Sequence, residues 1–133
     1  MQKFSLRTRS RVEMIDITGQ VLAAIREEGV ADGICVVFCP HTTAAITIQE
    51  NADPDVTADV IAELNRIGPF EDSYRHGEGN SAAHIKSSLV GCSETLIVEG
   101  GRPVLGTWQA VYFCEFDGPR TRRVVIECCG TGK

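Results

Sequence analysis

Trp108-Gln109-Ala110-Val111-Tyr112-Phe113-Cys114-Glu115-Phe116 runs into Asp117-Gly118-Pro119-Arg120 and, through Thr121-Arg122-Arg123, into Val124-Val125-Ile126-Glu127-Cys128-Cys129. The first nine residues alternate. Trp108, Ala110, Tyr112 and Cys114 fall on one face, and Gln109, Val111 and Phe113 on the other. A period of two is that of a pleated strand, whose successive side chains point to opposite faces. Asp-Gly-Pro-Arg reads as a turn, because glycine and proline supply backbone angles that a strand interior does not accept. Val124 to Cys129 returns as a strand. The stretch therefore predicts a hairpin of strands 108–116 and 121–129, with Trp108 packed in the core.

Working outward, Thr95 to Val98 reads as a strand closed by a Gly100-Gly101 turn. Asn80 or Ser81 caps a helix ending at Gly91, with Ala82, Ile85 and Leu89 facing inward and His84 at the border of that face. Asp53 as N-cap and Pro54 in the first turn open another helix, with Val56, Val60, Leu64 and Ile67 as its buried stripe. Gly68 to Gly79 is a polar loop. Ala44 to Gln49, Ile34 to Cys39 and residues 3–8 read as strands, the second apolar on both faces and hence central. Ile17, Val21, Leu22 and Ile25 mark a helix that stops at Gly29. About three helices mixed with antiparallel pairs, rather than alternating strictly with strands, make the class α+β: one compact domain, mostly antiparallel sheet.

The 133 residues are expected to form that single domain over 1–133, long enough for a real core. A net charge of −5 repels nucleic acid, so no nucleic-acid partner is expected. No apolar run approaches a bilayer span, and Met1-Gln2-Lys3-Phe4-Ser5 lacks a secretory apolar segment. The expectation is a cytoplasmic protein with no membrane partner. Thiols stay reduced there, and Cys35, Cys39, Cys92, Cys114, Cys128 and Cys129 contain no CxxC pair. All six are read as packing residues, with Cys39 set apart by its place beside Pro40-His41.

His41, His76 and His84 are the only histidines, each in a stretch rich in hydroxyls, acids or glycine. Imidazole serves both as metal ligand and as proton carrier near neutral pH. Three of them, with Glu50, Asp53 and Asp59 between, point to one shared site. Three protein ligands plus an open position is the pattern of a catalytic zinc, so His41, His76 and His84 are the expected ligands. Acid–base work without metal would use the same side chains. Glu50, Asp53 or Glu78 would replace one histidine or orient the rings. Thr42 and Thr43 either hold a substrate oxygen or satisfy backbone groups in their turn.

Gly77-Glu78-Gly79-Asn80-Ser81-Ala82 matches GxGxxA by letter, yet Ser73-Tyr74-Arg75-His76 is no buried strand, so a dinucleotide fingerprint is not supported. What remains is a glycine loop opening a helix, whose free amides attract anions. Arg120, Arg122 and Arg123, with Arg102 upstream, offer guanidinium forks that match phosphate oxygens. Lys86 is expected at the solvated surface. No nucleophile elbow, Walker sequence or paired-cysteine metal motif is present, which leaves a Ser or Cys nucleophile unsupported.

Pro40-His41-Thr42-Thr43-Ala44-Ala45 and Glu50-Asn51-Ala52-Asp53-Pro54-Asp55-Val56 with Asp59 are followed in order by four more motifs. These are His76-Gly77-Glu78-Gly79-Asn80-Ser81, Ala83-His84-Ile85-Lys86, Gly106-Thr107-Trp108-Gln109 and Glu115-Phe116-Asp117-Gly118-Pro119-Arg120. Together they resemble the YjbQ-like proteins, also called the secondary thiamine-phosphate synthase family, over essentially the whole chain. Cys92, Cys128 and Cys129 belong to none of these motifs. The resemblance implies a compact α+β fold, a homotrimer with histidine-rich clefts near subunit boundaries, and an ability to make thiamine phosphate as a secondary activity. That reaction joins a pyrimidine pyrophosphate to a thiazole phosphate and releases pyrophosphate. For it, the expected catalytic residues are Glu50, Asp53, Asp59 and Arg120. The expected contacts to a small phosphorylated substrate are Thr42, Thr43, Asn80, Ser81, Gln109 and Arg120. A divalent metal ion is expected as well, zinc-like at the histidines or magnesium on the pyrophosphate. A metal-dependent hydrolase or phosphoryl-group enzyme, or a non-catalytic binder of a phosphorylated metabolite or metal, are the alternatives.

Overall fold

The computed structural model describes residues 1–131, so the last two residues of the expected 1–133 domain lie outside the described residues. In chain order the elements are β1 (Gln2–Arg7), β2 (Glu13–Asp16), α1 (Thr18–Glu28), β3 (Gly33–Phe38), β4 (Ala44–Glu50) and α2 (Pro54–Ile67). Then follow α3 (Ser81–Val90), β5 (Ser93–Glu99), β6 (Arg102–Pro103), β7 (Gln109–Glu115) and β8 (Thr121–Gly130). The α+β class and the three helices match the sequence reading. β2 and β6, four and two residues long, are too short to show as alternation in the sequence.

The hairpin is not there. β7 pairs antiparallel with β2 and β4 in a three-stranded sheet, while β8 lies between β1 and β3 in a five-stranded sheet of order β1-β8-β3-β5-β6. Period two identified both strands, but each has its two edges occupied by other partners. Asp117-Gly118-Pro119-Arg120 is thus a crossover from one sheet to the other, with a cis Gly118-Pro119 bond.

The two sheets face each other across the main core. Cys35 and Val37 of β3, Leu96 and Val98 of β5, and Val124 and Ile126 of β8 meet Ile46 of β4 and Val111 and Phe113 of β7. Ile17, Val21 and Ile25 bring α1 into the same core, and Gly29 ends that helix in the left-handed conformation, as its position predicts. Full burial of each such aliphatic side chain stabilises the fold by roughly 1.5–3 kcal/mol. The opposite face of the small sheet is covered by helices, with Ala45, Cys114 and Phe116 against Ala83 of α3 and Leu64 of α2. Layers on both sides explain why β7 is buried along its length after Gln109.

Several expected orientations change. α3 presents Ala82, Ala83, Lys86 and Ser87 inward and leaves Ile85 and Leu89 exposed. Small residues allow a close approach to β4, and Ser87 Oγ donates to the Ala44 carbonyl at 2.7 Å, which sets this rotation. α2 buries no residue fully, and Ile67 is exposed. β3 is buried on one face only, since Ile34 and Phe38 face outward. Trp108 is 62% exposed rather than in the core, and Cys92 and Cys129 are exposed rather than packed.

Candidate functional site

Two of the chain's passages between the sheets meet at one corner: from β3 to β4 through Cys39-Pro40-His41-Thr42-Thr43, and from β7 to β8 through Phe116 to Arg120. The Phe116 amide donates to the Thr43 carbonyl at 3.1 Å, so the two crossovers are tied together. The N-terminal end of α3 lies against them. A polar cleft of about 330 Å³ opens there, lined by residues that include His41, Thr42, Thr43, Asn80, His84 and Arg120. Six residues singled out from the sequence, 79 positions apart at the extremes, thus share one cleft.

A buried ion pair holds the corner, and it engages Arg122, one of the arginines expected to bind an anion. Arg122 is 2% exposed and Glu115 is fully buried. Arg122 Nε donates to Glu115 Oε1 at 2.8 Å, and its Nη2 donates to Glu115 Oε2, to Thr43 Oγ1 at 2.8 Å and to the Thr43 carbonyl at 3.1 Å. Thr8 Oγ1 and the Asp117 amide donate to the remaining lone pairs of Glu115, at 2.8 and 3.0 Å. Burial alone would push the Glu115 carboxyl up. Donors from Arg122, Asp117 and Thr8 outweigh it and hold the group below the ordinary carboxylate range. The Thr43 hydroxyl is therefore spent on structure, while Thr42 is exposed. One signal was available: Arg122 shares its strand parity with Val124 and Ile126, the inward-facing set.

Asp117 links the second crossover to α3. Its Oδ2 accepts from Asn80 Nδ2 at 2.9 Å and from Arg120 Nη2 at 3.0 Å, and Arg120 Nε donates to its carbonyl at 2.9 Å. Asn80 occupies the N-cap of α3 but makes no side-chain cap bond, because its amide is directed to Asp117. With Nδ2 committed, Oδ1 is buried without a partner. Arg120 is half-exposed at the cleft, while Arg123 points outward from β8 and Arg102 sits on β6 beside Val98 and Glu99. Ser81 begins α3 without lining the cleft.

The histidines divide. His41 Nε2 accepts from the Arg123 backbone amide at 2.9 Å, which leaves Nδ1–H as the ring's donor. Burial, and after it the Arg122 guanidinium, hold this imidazole below its ordinary range. His76 and His84 stand edge-to-face with ring centroids 5.3 Å apart, and His76 Nε2 is 3.7 Å from Glu78 Oε2. Among the described residues, no three of His, Cys, Asp and Glu are grouped to hold a metal ion. The lone pair of the neutral His41 ring, on Nε2, is engaged by the Arg123 amide, and the proton therefore sits on Nδ1.

Glu50, Asp53, Asp59 and Gln109 lie away from the cleft. β4 leaves the corner at Ala44 and reaches Glu50 six residues on, roughly 20 Å at the rise of a strand. Gln109 is the register partner of Glu50 at that far end, and its Oε1 accepts from the Gly106 amide at 2.7 Å. Asp53 caps α2 through the Asp55 amide at 2.9 Å, and Asp59 is exposed along that helix. Lys86, expected at the surface, is fully buried: Nζ donates to Asn65 Oδ1 at 2.6 Å and lies 3.9 Å from the Phe70 ring centroid, which Arg11 also approaches at 3.6 Å.

A model of the family described as UPF0047 protein YjbQ-like matches residues 2–131. The chain belongs to the YjbQ-like family. It is 53% identical over 131 residues to the UPF0047 protein YugU of Bacillus subtilis (strain 168), which covers 98% of this chain and 99% of that one. A UPF0047 protein of Methanocaldococcus jannaschii is 52% identical over 128 residues, with 96% and 93% covered. Among solved structures, a YjbQ/UPF0047 family protein of Clostridium acetobutylicum superposes with a TM-score of 0.95 at 53% identity, covering 97% of this chain and all of that one. A YbjQ-like protein of Sulfolobus solfataricus P2 gives 0.93 at 30% identity, covering 97% and 95%. These matches span the whole YjbQ-like chain, crossovers and α3 included. No helix among the described residues is long and apolar enough to cross a membrane.

Proposed function

We propose that this YjbQ-like chain is a cytoplasmic enzyme of the secondary thiamine-phosphate synthase type, acting on phosphorylated small molecules at the corner cleft. The observation that carries the reading is the convergence of Arg120, His41, His84 and Asn80 on one polar cleft at the start of α3. Arg120 matches a phosphate or pyrophosphate oxygen, and the uncapped α3 N-terminus adds amide donors and the positive end of its dipole. His41 offers Nδ1–H to a phosphoryl oxygen without gaining a full charge. His84, at the junction of cleft and helix, is placed to give or take a proton.

In the synthase reaction the thiazole nitrogen forms the new C–N bond. The C–O bond to pyrophosphate breaks, and its electron pair leaves on pyrophosphate oxygen. These donors act where that negative charge develops. A divalent cation carried by the pyrophosphate would supply charge neutralisation there. Association into a homotrimer is part of this proposal. Exposed Ile34 and Ile97, register neighbours on the outer face of the large sheet, support a buried contact between copies.

The test is thiamine-phosphate formation from pyrimidine pyrophosphate and thiazole phosphate by purified protein, with His84→Ala alongside. Turnover lost in the variant supports the assignment. Absent turnover in the parent protein across divalent metals refutes the synthase reading, and saturable phosphate binding in that case identifies a binder.

A further inference from the structure

We infer that Cys39 and Cys92 are a modification site: hydrogen peroxide joins them in a reversible disulfide that ties down the first crossover beside the cleft. The two residues lie 53 positions apart in the sequence and face each other across the end of a ladder. Phe38 and Ser93 are the last register partners of β3 and β5, and the Cys39 amide donates to the Cys92 carbonyl at 2.7 Å, adding one more opposed pair. Opposed residues of a hydrogen-bonded antiparallel pair hold their Cα atoms about 5.5 Å apart, and a disulfide spans roughly 4.4–6.8 Å. Their side chains leave the same face. Cys39 has the parity of buried Cys35 and Val37, and Cys92 that of buried Leu96 and Val98. Both thiol residues line one cavity of about 750 Å³, where His41, Thr42 and His84 form a wall in common with the polar cleft.

Position in the sheet sets this pair apart from the other opposed thiols, Cys35 and Cys128. Those are flanked by paired residues on both sides, and Cys35 is fully buried. Cys39 and Cys92 have a ladder on one side only. Pro40 follows the first, and Gly91 precedes the second with φ 99°, where an added Cβ would meet nothing within 4 Å. The chain on that side has room to bring the sulfurs together.

Exposure orders the chemistry, since Cys92 is exposed and Cys39 is buried. Peroxide reaches Cys92, whose sulfur takes one oxygen to become a sulfenic acid while water leaves. Cys39 Sγ then attacks that sulfur. The S–S bond forms, the S–O bond breaks, and the departing hydroxide leaves as water with the Cys39 proton. Two thiols thus lose two electrons to one peroxide, and a small thiol such as glutathione returns them by exchange. In a reducing compartment such a bond is transient, which suits a sensor better than a structural staple. The tie fixes the end of β3 to the start of β5, so Pro40-His41-Thr42-Thr43 departs from a covalently held point.

Reduced full-length protein, treated with graded hydrogen peroxide, quenched by alkylation and digested without reductant, is mapped by mass spectrometry. A Cys39–Cys92 peptide, two hydrogen atoms lighter and released by dithiothreitol, is the expected main product. Closing a loop of this length should raise the melting temperature by about 5 °C or more. Hydrogen exchange in residues 40–43 should slow on oxidation. Cys92→Ser, at an exposed position, should show none of these changes, whereas Cys129→Ser, at an exposed position outside the pair, should show all of them. Cys92 that stops at sulfenic or sulfinic acid, a Cys35–Cys128 bond in place of this one, or a bond between two chains overturns the pair. A Cys39–Cys92 bond that leaves exchange in residues 40–43 unchanged overturns its hold on the crossover. None of these readouts depends on turnover or phosphate binding, so the outcome is separate from that of the synthase reading.

Discussion

The backbone amide of Arg123 donates to Nε2 of His41 at 2.9 Å, joining the first crossover to the strand that begins after the second. That bond requires a lone pair on Nε2, so it exists only while the imidazole is neutral. The fold thus uses a motif histidine as a structural acceptor on one nitrogen and leaves the other for the cleft.

A pH dependence follows from this pair. Burial lowers the His41 pKa in the folded chain, so the unfolded chain takes up a proton first as pH falls. The stability His41 contributes is fully present above its unfolded value of about 6.5 and is lost as pH drops through its lower folded value. Thermal unfolding measured from neutral to mildly acid pH should show a decline that is smaller in His41→Gln, whose amide oxygen accepts from Arg123 without titrating. Parallel curves for the two proteins would rule the assignment out.

Breaking the buried Glu115–Arg122 pair from one side strands a charge. Arg122→Met alone is expected to cost about 3–5 kcal/mol in urea unfolding. Glu115→Leu combined with Arg122→Met should recover part of it, because an apolar pair of similar volume carries no desolvation penalty. Recovery stays incomplete, since Thr8 and the Asp117 amide lose their acceptor. A single variant within about 1 kcal/mol of the parent would contradict a fully buried pair.

Two glycines should respond in opposite directions. A Cβ on Gly118 would lie 2.3 Å from the Ser10 carbonyl oxygen and 2.8 Å from Glu115 Cγ, so Gly118→Ala forces backbone to move and should destabilise by at least about 1–3 kcal/mol. A Cβ on Gly19 in α1 meets nothing within 4 Å. Gly19→Ala should stabilise by up to about 1 kcal/mol through helix propensity. Denaturant midpoints of the two variants decide both, and a tolerated Gly118→Ala would show the crossover to be loosely packed.

Lys86 should leave a signature at alkaline pH. Burial pushes its pKa down to about 8, with the charge of Arg11 adding to the shift. Between about 8 and the ordinary 10.5 the unfolded chain holds a proton that the folded chain has released, so stability gained from this group rises with pH across that window. Thiol titrations act on the parent protein as well, hence the comparison is with Lys86→Met. The parent should gain on the variant from pH 8 to 10, and a constant difference would mean that Lys86 keeps its proton.

What the sequence by itself determined was local. Alternation marked β7 and β8, Gly29 marked the end of α1, Asp53-Pro54 marked the start of α2, and the ordered motifs marked the family. Each of these depends on neighbours a few residues away, through pleat, capping and backbone angle. Tertiary structure alone decided what those elements touch. β7 and β8 chose different sheets because pairing depends on which strand edges remain free, and alternation is silent on edges. α3 turned Lys86 and Ser87 inward and Ile85 outward because hydrogen bonding to Ala44 and Asn65 and close packing of alanines outweighed side-chain hydrophobicity. Thr43, His84 and Arg120 met at the corner because both crossovers occur there, whereas Glu50 and Gln109 were carried to the far end of the small sheet by the length of β4. Distance along a strand is written in the sequence, but which end faces the cleft is settled only when two sheets close over one core.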